Sequence, residues 1–225
     1  AEEELERIGV TKPKIFLTAD PAFTLLAESA EKGKKLLSDC GLDPERETVC
    51  ISVRKWKALP AHFCDVIAEA ADELAEKYQI LFVPMQPSKD LAISREIAGK
   101  MNHSSALFPG SENVGEMLAV LGRMKLCIGM RLHSLIYAAS QSVPVVGLVY
   151  DPKITGFMDY IGQKHYLHVD TLSEDALFGQ IQKVLNQYDE IQSELSDTSA
   201  ILREKAEQNA RLAEMLLRGE ELHLE

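Results

Sequence analysis

The segment that most constrains the fold spans residues 125–153 and reads KLCIGMRLHSLIYAASQSVPVVGLVYDPK. Its first apolar run, residues 126–129, is typical of a strand and leads without a spacer into a helical pattern. A second run, residues 143–149, is apolar throughout, as expected of a strand that is covered on both faces. The segment therefore predicts a strand, a helix and a second strand of an α/β fold.

The same alternation continues along most of the chain. Strands are predicted at residues 14–18, 48–53, 80–83, 106–108, 126–129, 143–149 and 166–169, and helices at residues 2–8, 25–40, 60–78, 90–101, 114–123, 173–188 and 189–217. Parallel neighbours in a sheet need a crossover connection, and a helix is the usual one. We therefore expect an α/β fold with a doubly wound, mostly parallel sheet.

Composition and short motifs exclude several classes of function. The formal net charge of −11 leaves no basic stripe that could neutralise phosphates, which argues against nucleic acid as a partner. The four cysteines show no CxxC spacing, so we expect free thiols in a reducing compartment and no metal site. The sequence has no GxGxxG, P-loop, GxSxG or HExxH motif, so dinucleotide-binding, NTPase, serine hydrolase and zincin functions lack their defining residues.

Basic side chains follow three of the predicted strands. Arg131 and His133 come directly after one strand, Lys153 follows the next, and Arg54 follows an earlier one. Ligands of open α/β sheets bind outside the carboxyl ends of the strands, where helix N-termini favour anions. A guanidinium suits carboxylates and phosphates, and an imidazole suits proton transfer near neutrality. If the strands are neighbours, these side chains converge on one anion-binding crevice.

Each of these residues also has a structural interpretation. Arg131 could pair with one of the 35 acidic residues, and His133 could be a satisfied structural histidine. Lys153 could be a surface lysine after a turn, and Arg54 could likewise be a surface residue without a ligand. Asp20 precedes Pro21, and an aspartate in that position is more often a turn residue than a base.

Two runs, GMRLHSLIYAA and VPVVGLVYDPKI, closely resemble the corresponding segment of polysaccharide pyruvyl transferases. The resemblance is strongest to the bacterial enzymes that place a pyruvate ketal on cell-wall polysaccharide. The segments Asp20-Pro21-Ala22-Phe23 and Ile51-Ser52-Val53-Arg54 are also similar to that family. The resemblance covers most of residues 20–162, and RLHS is its most specific part.

The resemblance implies a transferase whose donor is phosphoenolpyruvate and which needs no cofactor and no metal. It implies a glycan or a lipid-linked saccharide as acceptor, and a role in cell-wall biosynthesis and S-layer anchoring. His133 is the expected catalytic residue, with its role as acid or base left open. The expected substrate-binding residues are Arg131, Lys153, Arg54, Ser134 and Asp20.

The family's architecture resembles the two-domain GT-B fold, and this chain matches mainly its C-terminal half. We expect residues 1–18 to be an inter-domain crossover, 19–188 the Rossmann-like donor-binding domain, and 189–225 a helix that packs toward an N-terminal domain of the same protein. The isolated chain is then expected to be inactive. An apolar stripe of Leu195, Leu202, Ala206 and Leu212 would need cover, which allows a homo-oligomer. A cytoplasmic location, or a peripheral one at the inner face of the membrane, would follow.

Two other functions compete with this one. A GT-B glycosyltransferase or a sugar-nucleotide epimerase would have the same sheet and would bind a nucleotide sugar. A non-enzymatic interaction domain could have the same sheet, and its charged residues at the sheet edge would then only be solvated. The fold alone does not decide between these functions, because one fold hosts many chemistries.

Overall fold

The protein is described by a computed structural model over residues 2–10 and 12–223. Contacts between Cα atoms divide it into two units. One unit is Leu25–Ser199, and the other combines the residues up to Thr24 with those from Ala200 onward.

A parallel sheet forms the centre of the larger unit. The described residues give it six strands in the order β3-β2-β1-β4-β5-β6, and each pair of neighbours is parallel. The strands are β1 (Thr48–Ser52), β2 (Gln79–Phe82), β3 (Ala106–Leu107), β4 (Met124–Gly129), β5 (Val145–Val149) and β6 (Tyr166–His168). The chain thus builds outward from β1 to one edge and then returns to β4. This confirms the doubly wound, parallel sheet, and β1 and β4 flank the point where the strand order reverses.

Helices connect successive strands, as the alternation predicts. The helices are α1 (Glu2–Arg7), α2 (Ala30–Asp39), α3 (Phe63–Ala75), α4 (Pro87–Ala98), α5 (Val114–Leu121), α6 (Leu132–Ser140), α7 (Pro152–Tyr160), α8 (Glu174–Asn186) and α9 (Tyr188–Arg218). Four of them begin after a side chain that accepts a backbone N–H of the first turn: Ser29, Asn113, Asp151 and Ser173. Such caps satisfy N–H groups that have no partner inside the helix, which fixes where each helix starts.

The core lies between the sheet and its helices. Every residue of β1 and of β5 is buried, as expected of strands covered on both faces. The apolar face of α3 is also buried, and it includes Phe63, Ile67, Ala70, Ala71 and Leu74.

Some predicted boundaries are wrong for local reasons. Residues 14–18 form no strand, because their polar contacts run to the end of the chain and not to a neighbouring strand: the Thr18 hydroxyl bonds Asn209 at 2.8 Å, and Lys14 Nζ donates to the carbonyl of Leu222. Helix α2 begins five residues later than predicted because Ser29 caps it. Helix α4 begins three residues earlier because Pro87 occupies its first turn, where a missing N–H costs nothing.

The smaller unit contains α1 and the later part of α9. Asn209 of α9 donates to the carbonyl oxygen of Ala19 at 2.9 Å. Three members of the predicted apolar stripe, Leu195, Leu202 and Ala206, are buried within the chain itself. The expectation that this stripe needs cover is therefore wrong for these three residues, whereas Leu212 is half-buried, and a homo-oligomer stays a prediction. Within the described residues, no helix is both long enough and apolar enough to span a bilayer.

Candidate active site

One cavity brings together four of the predicted site residues. Arg54, Arg131, His133 and Lys153 all line a cavity of about 420 Å³, which we name the first cavity. Its other lining residues are Met85, Gln86, Leu132, Tyr137 and Tyr150. The residues come from segments that follow β1, β2, β4 and β5, so the cavity lies at the carboxyl edge of the sheet where the strand order reverses. This is the position at which open α/β sheets bind ligands.

A tight passage from β4 into α6 positions Arg131 and His133. The backbone N–H of Met130 donates to the carbonyl of Ser52 at 2.7 Å, which ties the end of β4 to β1. A Cβ atom on Gly129 would lie 2.6 Å from a Leu135 methyl carbon, so only glycine permits this approach of strand and helix. Arg131 then occupies the N-cap position of α6, and His133 lies in its first turn.

A buried carboxylate holds Arg131. Asp90 is fully buried in α4, and its two oxygens accept hydrogen bonds from Nε and Nη2 of Arg131, with Nε to Oδ2 at 2.9 Å. The backbone N–H of Gln86 donates to the same carboxylate at 2.8 Å. The salt-bridge interpretation of Arg131 is thus correct, and it is compatible with a ligand contact because the guanidinium also lines the first cavity.

Asp90 was not predicted as a site residue. The signal that could have found it is its place on the apolar face of α4, three residues before Ile93 and seven before Ile97, which are both buried. A carboxylate at such a position needs a cation, because an unpaired buried charge is costly.

Tyr150 organises the other two cations. Its hydroxyl accepts a hydrogen bond from Arg54 Nη1 at 2.9 Å, and the Arg54 guanidinium carbon lies 5.1 Å from the Tyr150 ring centre. Lys153 Nζ also lies 5.1 Å from that ring centre, and the Trp56 ring packs against it edge-on at 4.9 Å. Such distances are typical of cation–π contacts. Sequence reasoning identified the YDPK segment but gave Tyr150 no role.

The first cavity is cationic within an acidic chain. Arg54, Arg131 and Lys153 line it, and no acidic side chain is among the described lining residues. Two carboxylates lie beside these cations: Asp90 pairs with Arg131, and Asp151 Oδ2 lies 3.9 Å from Lys153 Nζ. Nε of Arg54 is buried and has no hydrogen-bond partner among the described residues. The three cations therefore allow the cavity to accept an anion.

His133 is exposed at the cavity, with its ring centre 5.7 Å from that of Tyr137. It is therefore not a core histidine, and its ring is accessible to a ligand.

The structure does not bring Ser134 or Asp20 into the first cavity's described lining. Ser134 is buried, and its hydroxyl donates to the carbonyl of Arg131 at 2.6 Å, which places it as a support of the first turn of α6. Asp20 belongs to the smaller unit, where its carboxylate accepts the backbone N–H of Ala22 at 2.9 Å in a turn. No group of three or more metal-ligating side chains occurs among the described residues.

A family model for polysaccharide pyruvyl transferases matches residues 3–152. The chain belongs to this family. The matched range of this pyruvyl transferase family member includes Arg54, Asp90, Arg131 and His133, and it ends one residue before Lys153. No curated protein matches the chain.

Solved structures share the fold at low sequence identity. S. aureus MnaA, in a co-structure with UDP, aligns with a TM-score of 0.67 and 10% identity over 96% of this chain and 58% of that one. The family 9 glycosyl transferase from Veillonella parvula DSM 2008 aligns with a TM-score of 0.59 and 17% identity over 82% of this chain and 58% of that one. The C-terminal CMP-Kdo binding domain of WaaA from Acinetobacter baumannii aligns with a TM-score of 0.50 and 14% identity over 77% of this chain and 97% of that domain.

The pyruvyl transferase chain therefore spans little more than half the length of the first two structures and almost all of the isolated WaaA domain. At these identities the likeness concerns the fold alone. It confirms the expected Rossmann-like sheet of the kind found in the C-terminal half of a GT-B fold.

Proposed function

We propose that this chain is the donor-binding half of an enzyme that transfers pyruvate from phosphoenolpyruvate, as a ketal, onto a sugar of a cell-wall or surface polysaccharide. The observation that carries the proposal is the meeting of Arg54, Arg131, Lys153 and His133 in one cavity of a pyruvyl transferase family member.

The cavity suits a small ligand with two anionic groups. Phosphoenolpyruvate carries a carboxylate and a phosphate on one carbon, so it needs cations on more than one side. Arg131, oriented by Asp90, offers a planar fork for one anionic group. Arg54 and Lys153, both against Tyr150, offer charge to the other and can stabilise the departing phosphate.

His133 has the position of a proton carrier. In the reaction, a proton adds to the donor's methylene carbon to make a methyl group, and two hydroxyls of the acceptor attack the adjacent carbon. Inorganic phosphate leaves with the electron pair of its C–O bond, and the two hydroxyl protons are released. One of them balances the proton that the methyl group gained, and the other protonates the departing phosphate, which leaves as hydrogen phosphate. We assign His133 to deliver the proton to the methylene carbon and, once neutral, to take one from an acceptor hydroxyl.

A titration of the chain tests the donor. Calorimetry with phosphoenolpyruvate should show binding that Arg54→Ala weakens, whereas UDP-sugars should bind more weakly or not at all. The rival proposal of a nucleotide-sugar enzyme draws on the fold shared with MnaA and the WaaA domain. Tight binding of a UDP-sugar without binding of phosphoenolpyruvate would favour that rival.

The remaining proposals concern the whole enzyme. Because the chain spans little more than half of its longer structural neighbours, we propose that an N-terminal domain of the same protein completes the acceptor site and that the chain alone is inactive. The acceptor is proposed to be a lipid-linked saccharide in the cytoplasm or at the inner face of the membrane. Pyruvate incorporation into lipid-linked saccharides should require both halves.

A further inference from the structure

A second cavity opens beside the first. It measures about 440 Å³ and shares the wall residue Tyr150 with the first cavity. Its remaining lining residues are Trp56, Ala58, Val149, Asp151, Pro152, Thr155, His168, Val169 and Asp170. They lie at or after the carboxyl ends of β1, β5 and β6, so the second cavity lies at the same edge of the sheet.

The two cavities differ in chemistry. The second has apolar walls of Trp56, Tyr150 and Pro152, with hydrogen-bonding groups that include Asp170 and Thr155. No lysine or arginine is among its described lining residues, whereas the first cavity has three such cations. An anionic ligand is therefore disfavoured in the second cavity. A neutral ligand with apolar faces and hydroxyl donors fits it, since carboxylates only accept hydrogen bonds at neutral pH.

We propose that the second cavity binds a neutral pyranose ring of the saccharide acceptor. The C–H faces of a sugar ring pack on aromatic and proline surfaces, and its hydroxyls donate to carboxylates. This inference rests on the proposed function, because it deepens that function by giving the acceptor a place on this chain. The base of a nucleotide could also stack on Trp56, but the phosphates of a nucleotide would need lysine or arginine side chains, which the described lining of this cavity does not supply.

The wall residue shared by the two cavities makes this placement of the sugar compatible with the proposed reaction. A cyclic ketal joins two hydroxyls of one sugar to a single carbon of the donor, so the sugar ring itself has to lie beside the donor. A sugar ring in the second cavity would lie next to a donor in the first cavity, because Tyr150 lines both. A third cavity also adjoins the first, through Met85, but its described lining has no aromatic side chain.

Trp56 provides a direct probe because it is the chain's one tryptophan. The chain, labelled with ¹⁵N, is titrated with methyl glycosides of glucose, galactose, mannose and N-acetylglucosamine at millimolar concentrations. At least one glycoside should shift the indole N–H signal in a saturable manner. Uridine serves as the competing probe, and phosphoenolpyruvate is titrated in parallel and followed at the backbone signals of His133 and Lys153.

Variants locate the binding. Asp170→Asn should weaken binding of the responding glycoside by about tenfold, because it replaces a charged acceptor with a neutral amide. Trp56→Ala should abolish binding, measured by saturation transfer to the glycoside because the indole reporter is lost. The matched control is Asp197→Asn, an exposed carboxylate of α9 outside the described lining, and it should leave the affinity unchanged.

The outcomes separate this inference from the proposed function. If phosphoenolpyruvate binds but no glycoside shifts the indole signal, the inference is wrong and the donor assignment stands. If a glycoside binds and phosphoenolpyruvate does not, the saccharide site stands without the proposed reaction. A shift with uridine that exceeds the shift with every glycoside would overturn the inference, as would glycoside binding that Asp170→Asn and Trp56→Ala leave intact.

Discussion

The buried carboxylate of Asp90 holds the guanidinium of Arg131 at the wall of the first cavity. Two nitrogens of Arg131 donate to it, and the side chain of Arg131 is only 15% exposed while that of Asp90 is 0% exposed. A pair with such geometry fixes the plane of the guanidinium, because the fork and the carboxylate match bidentately. The free part of the fork is thereby oriented before any ligand arrives.

The first prediction is that Asp90→Asn impairs both stability and donor binding. The substitution leaves the charge of Arg131 uncompensated in a largely buried place, which costs about 3 kcal/mol in the free energy of unfolding. The guanidinium also loses its orientation, so the affinity for phosphoenolpyruvate should fall about tenfold. Urea denaturation and titration calorimetry measure the two effects.

The control for this variant is Asp159→Asn, which removes an exposed carboxylate paired with Lys164. An exposed pair contributes little, so both quantities should stay close to those of the wild type. If a folded Asp90→Asn protein bound the donor with unchanged affinity, Asp90 would have no positioning role.

The second prediction concerns Tyr150→Phe. This change removes the hydroxyl that accepts from Arg54 but keeps the ring that faces Lys153. A lost hydrogen bond to a charged group should lower the donor affinity by about threefold to tenfold, with a loss of stability of about 1 kcal/mol. Tyr166→Phe is the matched control, since the Tyr166 hydroxyl donates at 3.4 Å to Asp159, a carboxylate on the exposed surface. Equal donor affinities for the two variants would show that the Tyr150 hydroxyl has no role in donor binding.

The third prediction separates chemistry from binding. His133→Ala should abolish pyruvate transfer by an enzyme that contains both halves, because the proton carrier is gone. It should leave the affinity for phosphoenolpyruvate nearly unchanged, since the cations that bind the donor remain. His223→Ala, near the end of the chain, is the control and should transfer pyruvate normally. Normal transfer by the His133 variant would contradict the proposed catalytic role.

The sheet and the cationic rim could be predicted because both follow from local patterns. Apolar runs separated by amphipathic segments imply a parallel sheet, and basic residues just after three of the runs then have to lie on one edge. Arg54, Arg131 and Lys153 follow β1, β4 and β5, which are neighbours in the sheet. The position of each of these cations could therefore be predicted from the strand that precedes it in the sequence.

The partners of these cations could not be predicted in the same way. Asp90 reaches Arg131 across 41 residues of sequence, and this contact depends on how the segments that follow β2 and β4 meet at the carboxyl edge of the sheet. Tyr150 meets Arg54 across 96 residues. The strand predicted at residues 14–18 fails for a related reason, since an extended segment becomes a strand only if a neighbouring strand accepts its backbone hydrogen bonds, and periodicity does not report that neighbour.

The fourth prediction tests the passage from β4 into α6. Gly129→Ala would place a Cβ atom 2.6 Å from Leu135 Cδ2 and 2.8 Å from the Ser134 hydroxyl, so α6 has to shift. We expect a loss of about 1–3 kcal/mol in stability and weaker donor binding, because the shift moves Arg131 and His133. Gly156→Ala is the control: its Cβ would meet nothing within 4 Å, and alanine should stabilise helix α7 by up to about 1 kcal/mol. Thermal unfolding of both variants checks the opposite signs.

The fifth prediction concerns acid stability and Asp72. Partial burial of this carboxyl raises its pKa, but donors from the backbone of Asn102 and His103 and from their side chains outweigh that effect, so the pKa lies below its ordinary value of 3.8. The folded state then binds fewer protons than the unfolded state below that value. The stabilisation by Asp72 is therefore complete above the ordinary pKa and is lost as the pH falls through the lowered one.

Asp72→Asn should accordingly lower the free energy of unfolding by about 1 kcal/mol or more at pH 7, and the deficit should shrink as the pH is brought below the ordinary pKa of the carboxyl. Urea denaturation of the variant and the wild type across this range measures the deficit. Asp65→Asn, on the same helix α3, removes an exposed pair with Lys100 and should change stability by less than about 1 kcal/mol at neutral pH. A deficit for Asp72→Asn that stayed constant from neutral to acid pH would contradict this prediction. It would mean that the negative charge of Asp72 does not strengthen its hydrogen bonds with the backbone N–H groups of Asn102 and His103.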